Sequence, residues 1–474
     1  MILIECRKYF QITFYDNTIV HFDLKGAAPK VAYLKEVFKW VKQNGATGKD
    51  VGESFLAGIL IEWEDTFPFT GMLEENRCTE SYTLDEVRDL LGSAQKLELD
   101  IIPLVQTFGH LEWILKLDKF RKYRQSDEHP QVVCLADESG IALVKEAIKQ
   151  VVDVHKEFGV KFFHIGADEA FEYGVCEKDV AFISRHNSGG LERLVLEHLV
   201  KIAKYVRSLL SNTTRYTFCP IVFVPEYSWR AMAASFRNIW GSSAYKGANN
   251  PSAQLLDIQH YQFGGFFENF RGLILTGWQR YDHFAVLCEL LPVGFPSLIA
   301  NLQIAAGGQQ LDESAVERKV SLALRCSSNV SLQDSSTFIL CSFPGSEAFD
   351  AINRDLKTHK DMIKHQVFEN HQVRGWLGRF NTRHNYTQLW YLNDLYGLIQ
   401  ESYFNMLNVE KSIREALEPI YQNSTIDEWL YEYVDPVLER LVRYLDDIDR
   451  LKKERAFPRR NFKILRNIRA IRRQ

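Results

Sequence analysis

Two carboxylates stand side by side in Gly166-Ala167-Asp168-Glu169, directly after the strand-like run Lys161-Phe162-Phe163-His164-Ile165. A strand alternates its faces, so His164, Gly166 and Asp168 share one side while Glu169 turns out as the chain leaves the sheet. Adjacent carboxylates repel, and in an apolar cleft one of them tends to stay protonated. A neutral acid beside an ionised partner is the pair that cleavage of an acetal requires. The same dipeptide also opens many helices, where acidic residues answer the helix dipole. The two residues alone leave both readings open, and their surroundings separate them.

Such a pair needs a scaffold of parallel strands. Residues 20 to about 300 alternate strand-like and helix-like segments. Ile19-Val20-His21-Phe22-Asp23-Leu24, Gly58-Ile59-Leu60-Ile61-Glu62-Trp63 and Asp100-Ile101-Ile102-Pro103-Leu104-Val105 read as three strands ahead of the one at residues 161–165. Val31, Leu34, Val37, Phe38 and Val41 recur at helical spacing, and Thr83-Leu84-Asp85-Glu86 is a capping box. The helix over Val144, Ile148, Val151 and Val152 stops at Gly159. Repeated βα units imply a parallel sheet. A polar cluster follows the C-terminal end of each strand, where a (β/α)8 barrel carries its chemistry. Cys219-Pro220-Ile221-Val222-Phe223-Val224, Arg237-Asn238-Ile239-Trp240 and Leu273-Ile274-Leu275-Thr276 are the later strand candidates. That makes seven strands, one short of closure, with the shortfall between Leu191 and Phe236. The expected fold is α/β, a (β/α)8 TIM-type barrel over residues 1–350 that is irregular or lacks one strand near 190–236. Beyond it, Leu389, Leu392, Leu395 and Leu398, and later Leu438, Leu441 and Leu445, predict a helical region over 351–474.

The 474 residues, 46% of them hydrophobic, suffice for at least one large core. Aromatic residues make up 13%, with nine Trp and twenty Tyr, more flat faces than a core needs and of the kind that sugar clefts use. A net charge of −4 argues against bulk nucleic-acid binding. The eight cysteines form neither a CxxC nor a metal spacing. No signal-like N-terminus and no membrane-spanning apolar run are found. These features predict reduced thiols and a cytoplasmic or nucleocytoplasmic protein. Residues 459–474 carry Arg459, Arg460, Lys463, Arg466, Arg469, Arg472 and Arg473 and no acid, with Phe462, Leu465, Ile468 and Ile471 at helical spacing. This end reads as a membrane-surface or RNA-binding helix, or as a solvated tail.

His164-Ile165-Gly166-Ala167-Asp168-Glu169 resembles the His-x-Gly-(Gly/Ala)-Asp-Glu signature of glycoside hydrolase family 20, the β-N-acetylhexosaminidases. Pro103-Leu104-Val105-Gln106-Thr107-Phe108-Gly109-His110 is similar to that family's motif after the third strand. Four further segments resemble the family's hexosaminidase D branch: 23–26, 62–68, 240–247 and 275–284. All six occur in the expected order over residues 20–300. Two departures stand out. No extra α/β domain precedes the barrel, as is also true of that branch. No Trp-Asp-Asp strand end follows the catalytic one between 190 and 236, where Val224-Pro225-Glu226-Tyr227-Ser228-Trp229 is a poor substitute.

The resemblance implies a retaining exo-β-N-acetylhexosaminidase that removes terminal GalNAc or GlcNAc with help from the substrate's own acetamido group. Glu169 is then the general acid and base, and Asp168 the carboxylate that holds the acetamide. Trp278 becomes a wall of the sugar pocket, with Trp240 as a second candidate. Tyr245 becomes a donor to the acetamido oxygen, and His110 a tuner of the acid. Lys25, Glu64 and Asp282 would read sugar hydroxyls. Trp63 and Trp113 are outer platforms or plain packing. The partners implied are N-acetylhexosamine-terminated glycans or glycoconjugates, with no cofactor, no metal, no nucleic acid and no membrane span; a homodimer is left open. A second reading keeps the pocket without the turnover, as a catalytically impaired glycan-binding or scaffold protein that lacks a barrel segment.

Overall fold

The computed structural model describes residues 17–45, 57–186, 189–210, 215–217, 234, 239–247, 270–307 and 312–459. Seven parallel strands form one sheet: β1 (Thr18–Asp23), β2 (Ala57–Glu62), β3 (Asp100–Leu104), β4 (Phe162–His164), β5 (Arg215–Thr217), β6 (Ile239–Ala244) and β7 (Phe270–Gly277). Their order is β5-β4-β3-β2-β1-β7-β6, with β2 at the centre and β1 beside it, buried along its whole length. Among the described residues β5 and β6 are the two edges, so the sheet is open where the sequence count falls one strand short. The strand candidate at 219–224 and the basic tail at 460–474 lie outside the described residues.

Register gives each face of the sheet its work. Asp23 pairs with Glu62, and Leu104 with His164, so the strands end level at one rim. On the inner face Ile19, Leu60, Ile102, Leu104 and Ile274 form an apolar layer, with Phe162 and Trp240 packed against it. Above that layer the inner face turns polar. On the other face Phe22 meets Phe38 of the helix Val31–Gln43 at a ring separation of 5.5 Å. The predicted capping box forms as expected: the Thr83 hydroxyl accepts from Glu86 N (3.2 Å), and Glu86 Oε2 accepts from Thr83 N (2.8 Å). Two mutually satisfied helix-end donors fix where Leu84–Lys96 begins. The helix Glu138–His155 runs through a short 3-10 turn and ends at Gly159, whose φ of +82° suits a residue without Cβ.

The chain divides into two compact units, residues 1–353 with 415–429, and residues 354–414 with 430–474. A single cut at residue 350 therefore misses the return of Glu415–Trp429 to the first unit. There the buried Tyr421 hydroxyl donates to Gln279 Oε1 (3.0 Å) and accepts from Leu291 N (2.9 Å). The second unit is helical. Its helix Asp435–Leu451 buries Leu438, Leu441, Ile448 and Leu451 at intervals of three, seven and three, one apolar stripe. Among the described residues no helix is long and apolar enough to cross a membrane.

The expectation of reduced thiols is corrected. Cys134 is disulfide-bonded to Cys176 and Cys326 to Cys341, while Cys78 and Cys288 are free. No local spacing announces the first bond, because its partners are 42 residues apart and meet only through the fold. Its Cys176 closes the loop that follows β4. A ring of that length restricts the unfolded chain by about 4 kcal/mol in the chain-entropy account. Cys134→Ser should therefore lower the melting temperature of the unreduced protein. Thermal melts of the unreduced proteins, alongside mapping of alkylated cysteines before any reductant is added, check this; alkylation of Cys134 and Cys176 in the unreduced parent would count against the bond.

Candidate active site

The loops after β3 and β4 are locked together before any side chain reaches the cleft. Val105 N donates to His164 O (3.1 Å), and the Thr107 hydroxyl to Ile165 O (2.6 Å). A Cβ on Gly109 would lie 2.4 Å from Asp168 O, so the Gly-His motif brings backbone against backbone. Gly166 (φ +61°) leaves room for the Gln106 amide, which a Cβ would meet at 1.9 Å. Non-glycine residues with left-handed φ gather at these strand-end loops: Glu64 (+44°), His110 (+52°), Ala167 (+76°) and Glu169 (+44°). Each such residue costs on the order of 1–3 kcal/mol and persists only where its surroundings impose it.

This backbone gives the two acids different environments. The Asp168 side chain is 13% exposed and that of Glu169 is 49% exposed. His110 Nε2 sits between them, 3.3 Å from Glu169 Oε2 and 3.9 Å from Asp168 Oδ2. Burial pushes the Asp168 carboxyl above its ordinary range against the pull of His110, and the Glu62 charge pushes the same way. Burial works against the charged form of His110, but Asp168, Glu112 and Glu62 outweigh it and hold the imidazole above its usual value. Asp168 Oδ1 is buried and has no hydrogen-bond partner among the described residues. An acceptor left so among the described residues is a place where a ligand's donor can bind.

A cavity of about 230 Å³ opens over the rim, lined by Asp168, Glu169, His110, Lys25 and Trp278 among the expected residues. It is smaller than a typical drug-sized site and suits a single sugar unit. Glu62, Gln106, Lys246, Arg280 and Tyr281 complete its wall. Lys25 Nζ lies 2.9 Å from Asp23 Oδ2; burial opposes its charge, yet Asp23, Glu62 and Glu64 hold its pKa well above the usual lysine value. Glu62 is deeply buried, which opposes ionisation, but Lys25 and hydrogen bonds from His21 and Gln106 keep it well below the usual range. The Gln106 amide donates to Glu62 Oε1 at 3.0 Å. Below the main cavity lies a second space of about 20 Å³, lined by His21, Gln106, His164 and Asp168 on the polar inner face. It has room for about one water. Burial lowers the His164 pKa to about 4, so this ring is neutral, and its Nδ1 accepts from Gly166 N (3.1 Å).

Several expected residues are elsewhere. Trp240 is on the inner face but at the entry end of β6, where its ring meets Phe162 at 6.2 Å and packs on the apolar layer, far down the strand from the rim. Tyr245 falls on the opposite parity from Trp240 and Ser242, so it turns behind the sheet; its buried hydroxyl donates to His21 O at 2.9 Å. Asp282 caps its own turn, its Oδ1 accepting from Phe284 N and Ala285 N, each at 2.8 Å. Glu64 is buried against His283, Oε2 to Nδ1 3.1 Å, and stands outside the cavity wall. Burial drives both toward neutrality, raising Glu64 well above its ordinary value and lowering His283 to about 4. Trp63 donates to His155 Nε2 (3.2 Å), and Trp113 stacks on Phe69, both in the core. Tyr245→Phe should thus cost about 1 kcal/mol of stability through one lost hydrogen bond. It should leave KM and kcat within about twofold, because the ring keeps its place; denaturant melts and steady-state kinetics check this, and a large fall in kcat would return Tyr245 to the site.

Comparison with known proteins gives the family. A catalytic-domain profile described as glycosyl hydrolase family 20 matches residues 39–216. Hexosaminidase D of Homo sapiens is 30% identical over 476 residues, covering 92% of this chain and 94% of that protein. The chain belongs to glycosyl hydrolase family 20. It is a glycoside hydrolase of the β-N-acetylhexosaminidase class. Hexosaminidase D of Bos taurus is 34% identical over 331 residues, 61% of this chain and 92% of its own length. The crystal structure of a Flavobacterium johnsoniae chitobiase superposes with a TM-score of 0.50 at 11% identity, covering 94% of this chain and 74% of that one, a likeness of fold alone.

Proposed function

We propose that the protein is a retaining exo-β-N-acetylhexosaminidase, acting on terminal GalNAc or GlcNAc through the sugar's own 2-acetamido group. One observation supports this above the rest: the buried Asp168 oxygen, without a hydrogen-bond partner among the described residues, next to a half-exposed Glu169. In an ordinary retaining glycosidase one carboxylate attacks C1 while the other protonates the leaving oxygen, from positions about 5–5.5 Å apart on opposite faces of the sugar. Consecutive residues do not suit that division. They do suit one in which the acetamido carbonyl oxygen attacks C1 and forms an oxazolinium ring. Glu169 protonates the departing glycosidic oxygen and then takes a proton from the water that opens the ring. Asp168 accepts the acetamido N–H and faces the positive charge as it grows. His110 Nε2, 3.3 Å from Glu169 Oε2 and 3.9 Å from Asp168 Oδ2, can donate to Glu169 and lies within the electrostatic reach of both acids. Trp278, on the cavity wall, supplies a flat face for the sugar.

The test is physical-organic. With an aryl N-acyl-β-hexosaminide series, the rate should fall steeply as fluorines are added to the acyl group, because its oxygen is the nucleophile. The first product observed by NMR should be the β-anomer. A rate indifferent to acyl fluorination would sink the mechanism. A tight complex with a thiazoline inhibitor and no turnover would favour the impaired glycan-binding alternative.

A further inference from the structure

We infer that the cleft selects glycans bearing an anionic group, a sulfate, phosphate or carboxylate, and that Lys246 is the residue that binds it. The inference deepens the reading above, since it takes the same cavity to hold the terminal sugar. Three cations line that cavity, Lys25, Arg280 and Lys246. Two are already neutralised. Lys25 pairs with Asp23 in the floor, and Arg280 forks onto both oxygens of Glu428 while also donating to Gly26 O (3.0 Å) and Ala285 O (3.0 Å). Lys246 has no carboxylate partner among the described residues. Glu289, whose carboxylate reaches the adjacent backbone, accepts from Gly247 N at 2.9 Å.

What surrounds the Lys246 ammonium is aromatic. It lies 5.9 Å from the ring centre of Trp278 and 5.4 Å from that of Tyr281, both within the reach of a cation–π contact. Trp278 belongs to the cavity wall, and Tyr281, 78% exposed, stands at its lip. The cation is therefore set between wall and lip, partly withdrawn from water by ring faces that do not neutralise it. A hydroxyl can accept from such a group, but only an anion adds the attraction between two full charges. An anion gains a charge-assisted hydrogen bond in a half-dry setting. Elsewhere the cavity presents Asp168, Glu169 and Glu62, which repel an anion. Lys246 thus fixes the side on which an anionic substituent is accepted.

Binding to the full chain tests this by titration calorimetry with two matched pairs of probes. The first is N-acetylglucosamine 6-sulfate against N-acetylglucosamine, with the anion on the sugar itself. The second is a thio-linked N-acetylglucosaminyl-glucuronate against the thio-linked glucose analogue, with the anion on the neighbouring residue. In at least one pair the anionic member should bind about tenfold tighter, the lower end of what a hydrogen bond to a charged group is worth, and high salt should erode the difference. Lys246→Gln should abolish it and Lys246→Arg preserve it. The pair that responds locates the anion. Equal or weaker binding of both anionic members, or a preference that survives Lys246→Gln, overturns the proposal. Because the readout is binding, absent turnover would refute the hydrolytic mechanism without deciding this point. Turnover of neutral substrates with no anion preference would do the reverse.

Discussion

Glu169→Gln should lower kcat/KM on an alkyl N-acetyl-β-hexosaminide by about 10²–10⁴-fold, the usual contribution of a general acid. The loss should shrink toward tenfold or less on a dinitrophenyl substrate, whose leaving group departs without a proton. That contrast separates an acid from a residue that merely shapes the pocket, since a shaping role would affect both substrates alike. The geometry makes the variant clean. Glu169 is half exposed, its backbone φ of +44° is imposed by the loop, and Gln is of the same shape. Its one near contact, His110 Nε2 at 3.3 Å, can be kept by the amide oxygen. Near-normal turnover of the alkyl glycoside would remove Glu169 from the mechanism.

The sequence foretold elements better than it foretold side-chain directions, for physical reasons. β1 to β4 and the Thr83 cap rest on local chemistry, on apolar runs and on one reciprocal hydrogen-bond pair, and these are written into neighbouring residues. Asp168 and His110 meet because Gly109 lets two loops touch, a contact that only the Gly-His pair announces. Tyr245 was legible as well: counting by twos from Trp240 and Ser242 sends it to the far face of β6. Trp240 shares the inner face but enters at the wrong end of the strand. Glu62 and Gln106 stand in the quoted motifs, on the inner parity of β2 and just past β3, and a carboxylate or amide at a buried strand end is the signal that would have singled them out. Lys246 continues the count of Trp240 and Ser242 onto the cavity side, whereas Arg280 and Tyr281 lie in the loop beyond β7, where parity no longer decides direction. The Cys134–Cys176 bond gave no signal, since its partners are joined by the fold alone.

Asp168→Asn carries the second large effect, and with it a change of opposite sign in stability. The amide offers its acceptor oxygen but no charge, and it can present N–H to N–H where the acetamide must dock. A loss of about 10²–10³-fold in kcat/KM is expected, the range measured when one preorganised electrostatic group is removed. The pH profile should change with it. Burial raises the Asp168 pKa in the folded protein, so in the unsubstituted enzyme activity falls as pH drops through a value above the ordinary aspartate range. That acid limb should vanish in the variant. The same shift has a stability sign. Between the unfolded and the folded pKa the folded state holds more protons, so stability is fully present below the unfolded value and declines as pH rises through the folded one. Asn does not ionise and escapes the decline. The variant should therefore melt higher than the parent at neutral pH, and the gap should close below about pH 4, where the unfolded aspartate is protonated too. Thermal melts across pH, run beside the kinetics, test both halves. A variant that loses activity and also melts lower at neutral pH would mean that Asp168 holds the loop together rather than waiting, at a cost to the fold, for the acetamide of its substrate.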